Sequence, residues 1–136
     1  MIIATTAPTG TVGSKVASFL VNMKGIQVSL LTRSRQEVRH LEEFGAPISE
    51  GDLEDGYFVS RATAAADVLF WITPTPPTTN DLRGFQNRLG ENAARAVVTN
   101  GIGRVVNLSS MGAHIGFDTG PIDGLREGEQ HCNEAA

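Results

Sequence analysis

The apolar positions of this chain follow two rhythms that alternate from one end to the other. Residues 1–6 are a short apolar and β-branched run, the pattern of a strand buried on both faces. From Thr11 onward Val12, Val16, Phe19, Leu20 and Met23 recur at helical spacing, with Gly25 as the expected C-terminal cap. Residues 26–32 predict a second strand. Ser34, followed three residues later by Glu37, reads as a capping box, and it opens a helix with Val38, Leu41 and Phe44 on one face. Residues 46–50 give a weaker strand signal, Gly51-Asp52-Leu53 a turn, and residues 54–65 a short helix. The run DVLFWIT over residues 67–73 is too short for a helix and closes at Pro74, so it predicts a fourth strand. A Thr/Pro loop over residues 74–79 leads into a longer helix marked by Leu82, Phe85, Leu89, Ala93, Ala96 and Val97. Gly84 and Gly90 each cost that helix about 1 kcal/mol against alanine. Residues 104–108 are the fifth strand. Beyond Ser109 the pattern decays into a glycine-rich loop, one further helix is expected over residues 125–135, and no sixth strand is visible.

Strand and helix thus alternate five times, and such crossovers are right-handed, which puts parallel strands in one sheet with helices on both faces. The expected fold is α/β: a Rossmann-like doubly wound parallel sheet in three α/β/α layers, with about five strands in the order 3-2-1-4-5. At 136 residues the chain suits one domain and is short for a cofactor domain plus a substrate domain.

Composition narrows the function classes. A hydrophobic fraction of 40% and a charged fraction of 19% fit a folded globular chain. The formal net charge of −4, with basic residues scattered and not striped, argues against nucleic acid as a partner. No apolar run approaches the roughly 18 residues that span a bilayer, and no charged segment precedes the apolar N-terminus, so a cytoplasmic protein without a membrane partner is expected. Cys132 is the only cysteine, and His131 beside it lacks further ligands, so neither a disulfide nor a metal site is expected.

The candidate chemistry sits in the first strand-to-helix turn, Ala7-Pro8-Thr9-Gly10-Thr11-Val12-Gly13. A phosphate-binding turn needs glycines, because a Cβ would forbid the dihedrals or hold the backbone off the anion, and it needs the unpaired N–H groups of a helix N-terminus. Gly10 and Gly13 stand where such a turn wants its second and third glycines, while Ala7 replaces the first. Following a strand and opening a helix, the turn is read as the pyrophosphate site of NAD(P), and residues 1–136 as one NAD(P)-binding domain. About 20 residues further on, where a carboxylate would select NAD through its ribose hydroxyl, the chain has Thr32-Arg33-Ser34-Arg35 and no acid. A guanidinium there pairs with a 2′-phosphate, so NADP is the expected cofactor and NAD the alternative; the competing reading makes Arg33 and Arg35 solvated surface charges.

The turn APTGTVG, the segment LTRS, the turn GDLED, the strand DVLFWITP and the segments RVVNLSSMGAH and GPIDGLREGEQHCNEA together resemble the NmrA-like branch of the atypical short-chain dehydrogenases/reductases. That resemblance implies an oxidoreductase domain, with NADPH-dependent reduction of a quinone-like, azo or flavin acceptor, or else a non-catalytic NAD(P)-binding redox sensor. It implies that Asp52 and Leu53 flank the adenine, that Ile72, Thr73 and Pro74 border the riboses, and that Ser109 and Ser110 lie near the nicotinamide, Ser110 as the candidate catalytic residue. Asp52 reads equally well as a helix N-cap and Ser110 as a backbone turn. Trp71 reads as a core or interface residue. Two departures stand out. The Tyr-x-x-x-Lys pair of the wider superfamily is missing, since the single tyrosine, Tyr57, has Arg61 four residues on, and the family's substrate-binding region is not in the sequence. A homo-oligomer is compatible with this reading.

Overall fold

A computed structural model describes residues 1–76, 78–116 and 119–136. Pro77 of the Thr/Pro loop and residues 117–118 of the glycine-rich loop lie outside the described residues. Strands β1 (Ile2–Thr6), β2 (Gln27–Thr32), β3 (Ile48–Glu50), β4 (Val68–Ile72) and β5 (Arg104–Leu108) form one parallel sheet in the order β3-β2-β1-β4-β5. The order and the Rossmann-like α/β architecture are those expected from the pattern.

The two sides of the sheet carry separate cores, as the period-two alternation of strand side chains demands. Val28, Leu30 and Ile48 pack with Ala17 of α1 (Thr11–Leu20), with Val38 of α2 (Arg35–Val38), and with Leu41 of the 3-10 turn Arg39–Phe44. Ala4, Leu31, Leu69 and Trp71 face the opposite way. They pack with Phe58 and Val59 of α3 (Gly56–Ala62), with Leu89, Ala93, Ala96 and Val97 of α4 (Leu82–Asn100), and with Cys132 of α5 (Asp123–Ala135). Trp71 is 1% exposed, a core residue whose Nε1 donates to Thr73 Oγ1 at 3.1 Å.

Several local expectations are corrected. Gly25 does not cap α1, which ends four residues earlier at Val21. The stripe Val12, Phe19 and Met23 is exposed, and Gly13 and Ala17 are what α1 buries. Serines 14 and 18 border a recess shared with His40 and Leu41, so the apolar stripe lies on the flank of α1 away from α2. The capping box does not form: Ser34 is the N-cap of α2 without a side-chain cap bond. Instead Thr32 Oγ1 accepts from Ser34 N at 3.1 Å, and Glu50 Oε2 accepts from Arg35 N at 2.8 Å. The helix expected to start at Ser34 and carry Val38, Leu41 and Phe44 on one face is a four-residue α2 continued as 3-10, which turns Phe44 out to solvent. Asp55, not Asp52, caps α3, accepting from Tyr57 N at 2.9 Å and Phe58 N at 3.2 Å. That cap sets the helix start two residues later than expected.

At the far end of the sheet, β5 has a described neighbour only in β4. Val106 and Leu108 share the α1 face of the sheet with Phe70, opposite Leu69 and Val105, and they remain exposed.

Candidate functional site

Because the strands are parallel, all five end on one edge of the sheet. Ala7, Arg33, Gly51-Asp52, Thr73-Pro74 and Ser109-Ser110 therefore emerge on the same side. Connections leave β1 in one direction and β4 in the other, and open α/β sheets place ligands in the crevice at such a switch point. A cleft of about 450 Å³ lies at this edge. Ala7, Thr9, Arg33, Asp52, Leu53 and Pro74 of the expected cofactor residues line it, and Phe85 and Leu89 of α4 supply apolar wall.

The turn behind Thr9 is built by close backbone approach. Ala7 adopts φ +49, a left-handed conformation where the pattern would place glycine, and its carbonyl accepts from Gly10 N at 3.0 Å. Gly13 is buried directly beneath: a Cβ there would stand 2.0 Å from Ala7 O, closer than any contact allows. Gly10, Thr11 and Val12 are exposed at the N-terminus of α1, where Gly10 as N-cap has no side chain to satisfy the first amides. Those donors are left for an anion.

The end of β2 separates two arginines that look equivalent in sequence. Arg35 is engaged, ion-paired with Glu42 and donating to Ile48 O at 3.4 Å. Arg33 is exposed at the cleft, and no ion pair or hydrogen bond holds its guanidinium among the described residues. Asp52 Oδ1 accepts from Glu54 N at 2.9 Å, a turn bond that fixes the carboxylate at the cleft wall, and Glu54 pairs with Arg88 at 3.0 Å.

Other expected residues do not line the cleft: Gly10, Thr11, Val12, Gly13, Ile72, Thr73, Ser109 and Ser110. Ser109 Oγ is buried without a partner among the described residues, and Ser110 Oγ approaches Met111 O at 3.5 Å. Tyr57 is 76% exposed on α3 with Arg61 5.9 Å above its ring, and it is no cleft residue. Burial pushes the Cys132 thiol up to about 11, so it is a packing group and no nucleophile at neutral pH.

Sequence reasoning missed two residues here. Thr6 pins β1 to β4 at the switch point, donating through Oγ1 to Ile72 O at 3.0 Å and accepting from Ile72 N at 2.8 Å. A threonine ending a strand carries no signal for that role. Glu37 lines the cleft beside Arg33 and Ser34, although the sequence shows no acid at the end of β2.

A glycine-tight turn at a helix N-terminus, opening on a cleft at the switch point of a 3-2-1-4-5 sheet, defines a dinucleotide-binding Rossmann-like domain. The NAD(P)H-binding family model matches residues 8–127, and the chain belongs to that family. No curated protein shows significant similarity to it. Among solved structures it is similar to Citrobacter sp. triphenylmethane reductase complexed with NADP(H), at 18% identity over 99% of this chain and 46% of that one, with TM-score 0.82. It is also similar to the Escherichia coli NADPH-dependent quinone oxidoreductase QOR2 (19%, 98% and 45%, TM-score 0.80). A third is the Bordetella bronchiseptica enzyme WbmH in complex with NAD+ (15%, 99% and 52%, TM-score 0.81). The chain spans about half the length of these proteins.

Proposed function

We propose that residues 1–136 form the cofactor-binding domain of an NADPH-dependent reductase of the NmrA-like kind, acting on a quinone-like, azo or flavin acceptor. The observation that carries the reading is that Ala7 and Thr9 of the glycine-tight turn line one cleft with Arg33, whose guanidinium has no partner among the described residues. The amides at Thr11 and Val12, with the Gly10 backbone beside them, hold the pyrophosphate, and Arg33 holds the 2′-phosphate. Asp52 and Leu53 border the adenine, Ile72, Thr73 and Pro74 the riboses, and Ser109 and Ser110 the nicotinamide end. Bound there, the dinucleotide supplies a hydride; the chain's residues position it and exclude water. The solved structures of reductases named with NADP(H) and NADPH support this choice of cofactor and chemistry.

The test is the ratio of dissociation constants for NADPH and NADH at fixed ionic strength. A charge-assisted contact contributes about 1.5–3 kcal/mol, so Arg33→Ala should shift the ratio roughly 10- to 150-fold toward NADH. A ratio unmoved by the substitution removes Arg33 from the site. The second reading is dinucleotide sensing without turnover, favoured by the position of Tyr57, exposed under Arg61 and outside the cleft. NADPH oxidation with a panel of quinones tests the first reading: turnover by the purified chain above a protein-free control selects the reductase.

A further inference from the structure

The acid missing from the end of β2 is restored by the fold from the next helix. Glu37 sits in the first turn of α2, and its carboxylate is free because the capping box does not form. No salt bridge reaches it among the described residues. It lines the 450 Å³ cleft with Arg33, and it also lines an adjoining recess of about 280 Å³ beside Pro8, Ser14 and His40. Thr9 and Glu37 are shared by both, so Glu37 stands where the phosphate turn meets the end of β2.

The other charges nearby are committed elsewhere. Arg35, the nearest cation in sequence, is held by Glu42, and Glu54 by Arg88. Asp52 is turned into its own loop through Glu54 N. The corner of the cleft where an adenosine ribose would lie therefore presents one unengaged guanidinium and one unengaged carboxylate.

We infer that Glu37 is the second determinant of cofactor choice, accepting a hydrogen bond from the ribose 2′-hydroxyl of NADH and opposing the 2′-phosphate of NADPH that Arg33 attracts. The inference rests on the dinucleotide reading of the cleft and deepens it. A carboxylate accepts only, so a hydroxyl satisfies it, whereas a phosphate offers it no donor and adds like charge. With Arg33 and Glu37 opposed, the chain takes both dinucleotides instead of excluding NADH.

The experiment measures dissociation constants for NADPH and NADH by calorimetry in the parent, Glu37→Gln, Glu37→Lys and Arg33→Ala, with melting curves to establish folding. Glu37→Gln keeps the shape and removes the charge. It should move the ratio about 5- to 30-fold toward NADPH, less than a whole charge-assisted hydrogen bond because the amide oxygen still accepts, and Glu37→Lys should move it further the same way. Rising salt should shrink both shifts. A ratio unmoved by either Glu37 variant, while Arg33→Ala still moves it, overturns the role of Glu37 and leaves the proposed function standing. Failure of the folded parent to bind either dinucleotide overturns both.

Discussion

At the scale of single residues, the decisive geometry is that of Gly13 under the Ala7 carbonyl. An added Cβ would meet that oxygen at 2.0 Å and its carbon at 2.8 Å, and both atoms are backbone, so the turn itself must move. Gly13→Val should therefore abolish dinucleotide binding in a protein that still shows its α/β circular dichroism, and unchanged affinity in that folded variant would remove the pyrophosphate role. The glycine was legible because its need is local: strand, turn and helix follow one another in sequence. Arg33 and Arg35 were not separable that way. What divides them is a carboxylate, Glu42, brought close only by the 3-10 turn after α2. Glu37 was hidden by a motif that fits it better on paper, since Ser34-x-x-Glu37 assigns its carboxylate to the helix start. The backbone there finds Thr32 and Glu50 instead, and Glu50 belongs to another strand.

At the scale of elements, helical spacing reveals that a helix exists and says little about what covers it. Gly90 looked like a weakness of α4, yet α5 passes close against it at Gly128. A Cβ on Gly90 would stand 2.6 Å from Gly128 Cα, whereas one on Gly128 would meet Gly90 Cα at an ordinary 3.6 Å. The two glycines should therefore respond oppositely to the same change. Gly128→Ala gains helix propensity and should stabilise by up to about 1 kcal/mol. Gly90→Ala gains the same propensity but overpacks the contact at about 1–3 kcal/mol, so it should come out net destabilising. Urea unfolding of the two variants reads the difference, and equal effects would place the helices further apart than they are here. His131 adds a second tie, its Nε2 lying 2.8 Å from Asn87 Oδ1 across the same pair. The apolar stripe of α1 shows the converse limit. Val12, Val16, Phe19 and Met23 have core spacing, but Gly13 and Ala17, small enough for close approach, take the sheet-facing side.

At the scale of the whole molecule, strand order was legible because alternation and handedness leave few ways to wind five strands. The edge of the sheet was less legible, since a strand signal over residues 104–108 does not say which of its faces is covered. Among the described residues β5 pairs on one side only, with β4, and it carries two exposed aliphatic side chains on one face. Such an edge is a template for strands of other molecules, and nothing in Arg104–Leu108 resembles the proline, bulge or inward-pointing lysine with which exposed edges are usually blunted. Self-association of residues 1–136 at high concentration is therefore expected to start at this strand. Val106→Lys, which puts a charge on the open face without touching the core side, should slow the growth of light scattering on warming while leaving the melting midpoint within about 2 °C, as for a surface change of under ~0.5 kcal/mol. Scattering that grows as fast in the variant as in the parent would put the nucleus of self-association elsewhere on the molecule.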